Sequence, residues 1–456
     1  MEQITLDFIL NATGGRLTRA CFNCKCDDIS TDTRTIKPGS LFVALRGERF
    51  DGNEYLETAF SRGASVALAE RPYPGWPVVL VEDAYKALRA LAAAYRRQFS
   101  LPVVGVTGSV GKTSTKEMIF AVLSRAFRTH RNAGNLNNLI GMPMSVFGLE
   151  NTHKAAVFEM GMSAFGEIAA LSRVAAPEIG VITNIGISHI EMLGSQENIL
   201  KAKLEILEGL RPGGKLILNG DDALLSAVRT DRAEIVTYGI ENTGCTYVAE
   251  AIESSAEETT FRLRYPGGCL AARLPVVGRH NVYNALAAFA VGRALGLAPE
   301  VIAEGFLQYA PTGYRQKIEK LGGITFVEDC YNASPDSMRS AFDVLNTVQP
   351  KGRKLAVLAD MLELGETAPE AHRAVGRAAA ENGVDILLSF GEDAQYYQEG
   401  YREAGGAQSF YFTDKAALTD TLCDQLMEGD AVLFKGSRGM RLEEIIQNAG
   451  ERWTSR

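Results

Sequence analysis

Short apolar runs alternate with amphipathic stretches along most of the chain, and this alternation predicts strands and helices in turn. Near the N-terminus, LFVALRG (41–47) has the composition of a strand and precedes a stretch with helical period. A predicted helix at 86–99 ends at Ser100, just before Leu101-Pro102, where a helix rarely continues. The pattern therefore predicts a small α/β domain at 1–100.

From Pro102 onward, fully apolar runs are separated by helical segments. The predicted strands are VVGVT at 103–107 and the runs at 155–160, 179–185 and 215–219. Continuous apolar strands separated by helices predict a parallel sheet that is buried on both faces. A β-rich insert is predicted at 245–277, followed by a helix at 279–296. Because Pro311-Thr312-Gly313 marks the next boundary, the second domain is predicted at 101–312.

A third series of strand-like runs follows, and each run is separated from the next by a helical segment. The runs are ITFVEDC, KLAVLAD, DILLSF, QSFYFT and AVLFKG. This alternation predicts a doubly wound, Rossmann-like domain at 313–456. The chain is therefore predicted to be an α/β protein in which a central parallel-sheet domain lies between two smaller α/β domains.

The composition is that of a globular protein, with 46% hydrophobic and 22% charged residues, and the 456 residues suffice for about three domains. A net charge of −8 argues against general nucleic-acid binding, which requires a basic surface. An anion can still be bound locally by backbone N–H groups. The N-terminus lacks the basic segment of a signal peptide, and no apolar run could span a bilayer. We therefore expect a cytoplasmic protein without membrane insertion.

Seven cysteines are spread along the chain, which agrees with reduced thiols in the cytoplasm. Cys21, Cys24 and Cys26 form a local C-x-x-C-x-C cluster. As a zinc site this cluster lacks a second pair of ligands nearby. Plain thiols are therefore the favoured interpretation, with a metal site as the alternative.

The most specific motif is GVTGSVGKTSTKE (105–117), which lies between an apolar strand and an amphipathic helix. This context is typical of a phosphate-binding loop, although the strict G-x-x-x-x-G-K-[ST] pattern requires glycine where the chain has Val106. Lys112 would reach the β- and γ-phosphates of a nucleotide, and the Thr113 hydroxyl would hold Mg²⁺. The predicted nucleotide contacts of the loop are Thr107, Gly108, Ser109, Val110, Gly111, Lys112 and Thr113. A plain turn between strand and helix is the alternative.

Three further residues are candidates for the same chemistry. Glu159 ends the next apolar strand, so its carboxylate would lie at the same edge of the sheet and could bind magnesium. His189 follows the strand after that, and Lys203 lies in a predicted helix. A solvated glutamate, a structural histidine and a surface lysine are the alternatives for each residue taken alone. A role in nucleotide chemistry is therefore supported by the joint occurrence of the three residues and not by any one of them.

Eight segments, in order along the chain, carry a resemblance to a known family. They are TGSVGKTS, AGNLNN, VFEMG, NIGISHIEMLGSQENILKAKLEI, GRHNVYNALAA, EDCYNASPDSM, ADMLELG and KGSRGM. Together they resemble the Mur ligases, the ATP-dependent enzymes that form amide bonds in peptidoglycan synthesis. The loop of this family is T-G-x-x-G-K-[ST]. Thr107–Thr113 fit that form, so Val106 is no objection to a phosphate loop.

Within the family, the chain is similar to the member that joins D-alanyl-D-alanine to UDP-MurNAc-tripeptide through an acyl phosphate. The segment at 30–52 resembles the UDP-sugar domain of the family. EDCYNASPDSM with ADMLELG, and the absence of D-[ND]-P-R, separate the chain from the diaminopimelate-adding members. Two positions depart from the usual pattern: Tyr314 replaces glycine before Arg315, and Asn53 stands where histidine is common.

The resemblance implies ATP and two Mg²⁺ ions, and it implies a catalytic set. That set is Lys112, Glu159, His189 and Lys203, with Thr113, Glu159, His189 and Lys203 as metal ligands. Lys203 matches the carbamylated lysine of the family. This modification makes chemical sense because reaction with CO₂ converts a cation that would repel magnesium into an anionic oxygen ligand.

The resemblance also implies contacts for each substrate. For ATP they are Asn281, Asn284, Arg315, Asp329 and Asn332; for the UDP-sugar, Ser30, Asp32, Arg34, Asn135 and Asn138; for the dipeptide, Lys435, Ser437 and Arg438. Helix capping and turn formation are the alternative for the asparagines, and a solvated loop is the alternative for the dipeptide residues. The implied partners are UDP-MurNAc-tripeptide and D-alanyl-D-alanine, with lysine or diaminopimelate as the third residue, and we expect a monomer.

Two other functions remain as alternatives. A folylpolyglutamate synthetase shares the loop and the acyl-phosphate chemistry but lacks the N-terminal UDP-sugar domain, so residues 1–100 discriminate between the two. A nucleotide-regulated binding protein would signal by closure without catalysis. The joint presence of Lys112, Glu159, His189 and Lys203 argues against it, because binding alone would not need two metal sites.

Overall fold

The computed structural model describes residues 1–21, 24–348 and 352–455, and its three main β-sheets have five, nine and six strands. The sheets follow one another along the chain and pack against helices, which confirms the α/β fold with a central sheet between two smaller ones. Because the sheets change at 81–102 and at 275–316, we propose the boundaries predicted from the sequence, 1–100, 101–312 and 313–456. None of the described helices combines the length and apolarity that a membrane span requires.

The N-terminal domain is a small sheet with three helices. Its strands are β1 (Ile4–Thr5), β2 (Arg16–Leu17), β3 (Lys25–Cys26), β4 (Ile29–Ser30), β5 (Leu41–Val43), β6 (Val66–Ala69) and β7 (Val78–Leu80). Its helices are α1 (Leu6–Thr13), α2 (Leu56–Ser61) and α3 (Ala84–Arg96), with 3₁₀ turns at Thr33–Thr35 and Gly52–Tyr55. The sheet order is β2-β7-β6-β5-β4, with β2 antiparallel to β7 and the other pairs parallel. Strands β1 and β3 form a separate antiparallel ribbon.

Helix α3 illustrates how the sequence produces a local element. The Asp83 carboxylate accepts a hydrogen bond from Lys86 N at 2.8 Å and so caps the helix N-terminus. Leu88, Leu91 and Tyr95 recur at three- and four-residue spacing and are fully buried. The amphipathic pattern therefore places one face of α3 in the core, as predicted.

The middle domain contains the largest sheet. Its strands are β8 (Val103–Thr107), β9 (Thr129–Arg131), β10 (Ala155–Glu159), β11 (Ile179–Ile182), β12 (Lys215–Asn219), β13 (Glu234–Gly239), β14 (Tyr247–Ser254), β15 (Thr259–Tyr265) and β16 (Gly268–Leu274). Its helices are α4 (Lys112–Leu123), α5 (Gly141–Val146), α6 (Glu167–Ala175), α7 (Ile190–Leu193), α8 (Gln196–Leu204), α9 (Ala223–Ser226), α10 (Arg279–Ala294) and α11 (Pro299–Phe306), with a 3₁₀ turn at Glu205–Glu208. The sheet order is β16-β15-β14-β13-β12-β11-β8-β10-β9, and all neighbouring pairs are parallel except β14–β15 and β15–β16.

The β-rich segment of this domain differs from the prediction. It is not an insert beside the sheet but the edge of the sheet itself, because β14 pairs in parallel with β13. The residue pairs Tyr238–Tyr247 and Gly239–Val248 make this connection. The apolar pattern predicts the strands, but it carries no information about which neighbour they pair with.

The C-terminal domain has a six-stranded sheet. Its strands are β17 (Lys317–Leu321), β18 (Ile324–Glu328), β19 (Lys354–Ala359), β20 (Ile386–Phe390), β21 (Gln408–Phe412) and β22 (Ala431–Lys435). Its helices are α12 (Pro335–Thr347), α13 (Ala368–Glu381), α14 (Gln395–Glu403), α15 (Lys415–Gln425) and α16 (Glu443–Thr454), with 3₁₀ turns at Gly365–Thr367 and Arg438–Met440. The order is β17-β18-β22-β19-β20-β21, and all pairs except β17–β18 are parallel. This is the Rossmann-like arrangement predicted for 313–456.

The cysteine cluster corrects the prediction of plain thiols. Cys21 and Cys24 form a disulfide, and their Cα atoms are 5.9 Å apart, a separation that a disulfide can bridge. Cys26 is a free, buried residue of β3. Burial, with a smaller effect of Asp27, raises the pKa of the Cys26 thiol to about 12. The described residues contain no group of three ligands suited to a metal ion, so the zinc alternative has no support here.

Arg96 joins the N-terminal domain to the middle domain. Its buried guanidinium donates to Phe99 O at 2.8 Å, Ala175 O at 3.0 Å and Leu101 O at 3.1 Å. Burial lowers the pKa of Arg96 to about 10, so the group remains charged at neutral pH. One side chain thus satisfies three carbonyls at the junction of α3, the connecting segment and α6.

We expect Arg96→Met to destabilise the protein by on the order of 3 kcal/mol, because three buried carbonyls lose their donor while the apolar contacts of the stem remain. Urea unfolding, followed by intrinsic fluorescence, checks this as a lower midpoint. Arg97→Met is the matched control, since Arg97 is the exposed neighbour at the C-cap of the same helix. Equal midpoints for the two variants would show that Arg96 does not hold the junction.

Candidate active site

The carboxyl ends of three parallel strands meet at one edge of the middle sheet. Val106 of β8 pairs with Glu159 of β10, and Thr107 pairs with Ile182 of β11. The loops after these strands therefore begin at the same level, where open α/β sheets bind their ligands. They form one wall of a cavity of about 1040 Å³, and the C-terminal domain forms the opposite wall.

The loop between β8 and α4 has a backbone that suits phosphate. Gly108 has φ 151° and Gly111 has φ 83°, values that residues with a side chain rarely adopt. A Cβ atom on Gly108 would lie 1.8 Å from Thr183 Oγ1. Val110 N donates to Asn184 Oδ1 at 2.9 Å, and Thr183 Oγ1 donates to Val110 O at 2.6 Å. The residues that follow β11 therefore hold the loop in shape.

Neither Thr183 nor Asn184 is among the contacts predicted from the sequence. The available signal was their position, since both directly follow the apolar run that forms β11. Their effect on the loop depends on the pairing of β11 with β8, which is not visible in a single sequence.

Lys112 is the first residue of α4 and folds back onto the loop. Its Nζ donates to Gly108 O at 2.8 Å and to Ser109 O at 3.1 Å. Desolvation lowers the pKa of Lys112, and the Glu159 carboxylate opposes that shift. Thr107 Oγ1 and Ser109 Oγ are buried and have no hydrogen-bond partner among the described residues. A lysine, unpaired hydroxyls and a helix N-terminus together form a donor set suited to phosphate.

Glu159 and Thr113 place hard oxygen donors beside this loop. Thr113 Oγ1 donates to Glu159 Oε2 at 2.8 Å, and Asn137 Nδ2 donates to Glu159 Oε1 at 2.7 Å. Lys116 Nζ lies 3.6 Å from Glu159 Oε2, while Asn132 hydrogen-bonds to both backbone groups of Glu159. The carboxylate is 2% exposed and firmly oriented. A hydroxyl next to a carboxylate is a donor pair that fits Mg²⁺.

The asparagine segment contributes a different residue from those predicted. Asn135 is exposed and does not line the cavity. Asn138 lines it, but its Oδ1 accepts from Gly141 N at 2.8 Å and from Ile140 N at 3.1 Å, which is the capping role of the alternative interpretation. Asn137 is the residue that reaches Glu159.

His189 and Lys203 lie on the same side of the middle sheet but in different surroundings. His189 lines the cavity, and its Nδ1 lies 2.7 Å from Oε2 of Glu363, which belongs to the C-terminal domain. Lys203 is 1% exposed and does not line the cavity, and its side-chain amine has no hydrogen bond or ion pair within the described part of the chain. Burial, followed by the nearby charge of Lys112, lowers the pKa of Lys203 well below its usual value. These surroundings therefore disfavour the ammonium form of Lys203 relative to the neutral amine.

Asn281 and Asn284 of α10 form a buried network. Asn284 Oδ1 accepts from Thr115 Oγ1 at 2.8 Å, and Asn284 Nδ2 donates to Asn281 Oδ1 at 3.1 Å. Asn281 Nδ2 donates to Val277 O at 2.9 Å and to Gln316 Oε1 at 2.8 Å. Of these two asparagines, Asn284 lines the cavity and Asn281 does not. The network links α4 and α10 to the start of the C-terminal domain, so it positions the cavity wall.

The C-terminal domain supplies the opposite wall. Arg315, Asp329, Asn332 and Lys435 all line the cavity, and the Arg315 guanidinium lies 3.8 Å above the ring of Tyr331. Lys435 Nζ donates to Asp329 Oδ2 and, at 3.4 Å, to Asn332 O. The predicted nucleotide residues of this domain are thus brought together. Lys435, which was predicted to contact the dipeptide, lies beside these predicted nucleotide residues.

Ser437 and Arg438 lie apart from Lys435. They line a smaller cavity of about 110 Å³, which His189 and Glu363 also line. Ser437 Oγ accepts from Leu362 N at 2.9 Å, and Arg438 donates to Glu443 Oε1 at 2.7 Å. The predicted dipeptide set is therefore divided between two cavities, because β22 ends at Lys435 and the chain turns away after it.

The predicted UDP-sugar residues of the N-terminal domain form a separate cluster. Ser30 Oγ donates to Asp32 O at 2.9 Å, and the exposed Arg34 guanidinium pairs with the Asp32 carboxylate at 2.7 Å. The hydrogen bond from Arg34 lowers the pKa of Asp32 to about 2. None of the three lines the large cavity; of the described residues in 1–100, only Tyr85 does.

We expect Gly108→Ala to weaken ATP binding by at least roughly tenfold, because the new methyl group would collide with Thr183 and the backbone would be strained. Isothermal titration calorimetry measures the affinity. Gly213→Ala is the control, since Gly213 also has a positive φ (75°) but has open space where the Cβ would lie. Unchanged ATP affinity in Gly108→Ala would contradict the assignment of the loop.

Three profiles of one family match the chain in order. They are described as "Mur ligase family, catalytic domain" at 26–96, "Mur ligase middle domain" at 106–292 and "Mur ligase, glutamate ligase domain" at 315–438. The first of these matches covers the domain that discriminates against a folylpolyglutamate synthetase.

Individual relatives agree with the profiles. The UDP-N-acetylmuramoyl-tripeptide--D-alanyl-D-alanine ligase of Bacillus subtilis (strain 168) is 41% identical over 426 residues, 92% of this chain and 92% of that protein. A crystal structure of MurF from Acinetobacter baumannii has a TM-score of 0.93 at 33% identity, covering 99% of both chains. MurF ligase from Thermotoga maritima, in complex with ADP, has a TM-score of 0.85 at 26% identity, covering 94% of this chain and 98% of that one. The chain therefore belongs to the Mur ligase family.

Proposed function

We propose that the protein is an ATP-dependent ligase that joins D-alanyl-D-alanine to UDP-N-acetylmuramoyl-tripeptide in peptidoglycan precursor synthesis. The products are UDP-N-acetylmuramoyl-pentapeptide, ADP and phosphate. The observation that carries the proposal is that a phosphate loop and an oriented Glu159 face Arg315 and Asp329 across one cavity. The names of the curated relatives and the ADP bound to the Thermotoga protein support the same conclusion.

ATP is required because a carboxylate is a poor electrophile. In the first step, an oxygen of the terminal tripeptide carboxylate attacks the γ-phosphorus of ATP, so that ADP leaves and an acyl phosphate forms. In the second step, the amine nitrogen of the dipeptide attacks the acyl carbon. The resulting tetrahedral intermediate loses phosphate, and the nitrogen loses a proton. Water must be excluded while the acyl phosphate exists, and closure of the two domains around the cavity between them would meet that need.

Two anionic groups meet in the first step, so positive groups must stabilise the charge that develops. Lys112 and the N-terminus of α4 would bind the β- and γ-phosphates. Thr113 and Glu159 fit a Mg²⁺ ion, which when bound neutralises part of the phosphate charge. Asn137 would keep the Glu159 carboxylate in the orientation that this requires.

His189 and Lys203 would complete a second metal site. The neutral amine of a lysine is the form that reacts with CO₂, and burial of Lys203 shifts its pKa in the direction that favours this form. As an ammonium group, Lys203 would repel both a metal ion and Lys112, whereas a carbamate would attract both. We therefore propose that Lys203 is carbamylated. The cytoplasmic location and the monomeric state stay predictions from the sequence.

We expect phosphate release to require ATP, Mg²⁺, the UDP-tripeptide and D-alanyl-D-alanine together, and we expect the pentapeptide to appear in the mass spectrum. Parallel reactions with lysine-containing and diaminopimelate-containing tripeptides identify the accepted third residue. ATP binding without turnover on either tripeptide would contradict the proposal and would favour the nucleotide-regulated binding protein.

We expect Lys203→Ala to reduce the turnover number by at least roughly a hundredfold, because the anionic ligand and its contribution to charge stabilisation are lost. Formate or acetate in the assay should restore part of the activity by occupying the vacated space with a carboxylate. Lys201→Ala, an exposed lysine of the same helix, is the control and should retain wild-type activity. Full activity of Lys203→Ala without added carboxylate would refute the carbamate.

A further inference from the structure

The smaller cavity lies beside the large one where the middle and C-terminal domains meet. His189, Asn332 and Ser334 line both cavities, so the two spaces share a wall. In the proposed reaction, the acyl phosphate forms in the large cavity. A second substrate that occupies the smaller cavity would meet the acyl carbon at this shared wall.

The smaller cavity has one permanent group of each sign. Of the described residues that line it, Glu363 carries the only carboxylate and Arg438 the only permanent cation. Leu362 and Leu364 flank Glu363 and add apolar surface, while Ser437 precedes Arg438 and adds a hydroxyl. Arg438 pairs with Glu443 through Nη1, so its remaining guanidinium N–H groups and the Glu363 carboxylate are the charged groups that would complement a short zwitterionic peptide.

Glu363 has an oxygen available for a ligand. Its Oε2 lies 2.7 Å from His189 Nδ1, whereas its Oε1 has no hydrogen-bond partner in the described part of the chain. The Glu363 side chain is 60% exposed, so a ligand can reach it. Glu363 and His189 both have left-handed backbones, with φ 64° and 63°, which residues other than glycine seldom adopt. Two unusual turns, one from each domain, thus bring this carboxylate to the shared wall.

We propose that Glu363 binds the ammonium group of the dipeptide substrate, with Oε1 accepting from the ammonium while Oε2 stays on His189. This inference rests on the proposed function and adds the residue for the amine end, since Ser437 and Arg438 are proposed for the carboxylate end. The two charges fix the direction of the dipeptide and place its nitrogen at the shared wall, where the bound ammonium group must release a proton before its nitrogen can attack the acyl carbon. In the reverse direction, like charges would face each other at both ends.

The test compares D-alanyl-D-alanine with N-propionyl-D-alanine, which has the same shape but lacks the amino group. Calorimetry measures both affinities in the presence of the UDP-tripeptide and a non-hydrolysable ATP analogue. We expect the wild-type protein to prefer the dipeptide by roughly tenfold to a hundredfold, the range for a hydrogen bond to a charged group. In Glu363→Gln the preference should fall to within a few-fold, because the amide keeps the shape but not the charge.

Two variants complete the design. Glu363→Asp retains a carboxylate and should retain most of the preference, and Glu366→Gln, an exposed residue of the same loop, should retain all of it. An unchanged preference in Glu363→Gln would overturn the role of Glu363, even where the wild-type protein forms the pentapeptide. A wild-type protein that binds no dipeptide and forms no product would instead refute the proposed function.

Discussion

The parallel pairing of β8 with β10 and β11 is the constraint on which the site depends. It sets Val106 beside Glu159 and Thr107 beside Ile182. The phosphate loop, the Glu159 carboxylate and the residues after β11 that support the loop therefore begin at one level. A slip of one residue between β8 and β10 would turn the Glu159 side chain to the other face of the sheet. The hydrogen bond between Thr113 and Glu159 would then be lost. The chemistry of the site is therefore fixed first by backbone hydrogen bonds and only then by side chains.

The second requirement is that the C-terminal domain faces this edge. Polar contacts at the junction help to satisfy this requirement: Asn281 of α10 donates a hydrogen bond to Gln316, which lies just before β17. On the far side of the cavity, His189 meets Glu363. These two contacts are polar, and polar contacts between domains can break and re-form as substrates enter and leave. A rigid sheet edge combined with a separable wall suits a reaction that needs enclosure and release in turn.

The sequence predicted best those residues whose position follows from periodicity. Lys112 and Glu159 are predictable because an apolar strand must end where its pattern ends, and parallel strands end together. The role of Lys203 as a metal ligand was implied by the family resemblance. Its burial differs from the alternative interpretation, which was a surface lysine. Asn137 was missed in favour of its neighbours, because the direction of side chains in a non-periodic loop depends on tertiary contacts. The pairing of Lys435 with Asp329 could not be predicted either, since the two residues are distant along the chain; the dipeptide role of Lys435 stays a prediction.

The electrostatics of Lys203 show how burial can select a chemical state. An ammonium group at this position would lose its hydration and would also face the charge of Lys112, two costs of the same sign. A neutral amine avoids both costs but leaves the buried nitrogen without a partner among the described residues. A carbamate reverses the sign of the interaction with Lys112 and supplies oxygens that a metal ion can bind. A carbamate would also lose hydration on burial, but of the three states it is the only one that would attract Lys112 and offer oxygen atoms to a metal ion.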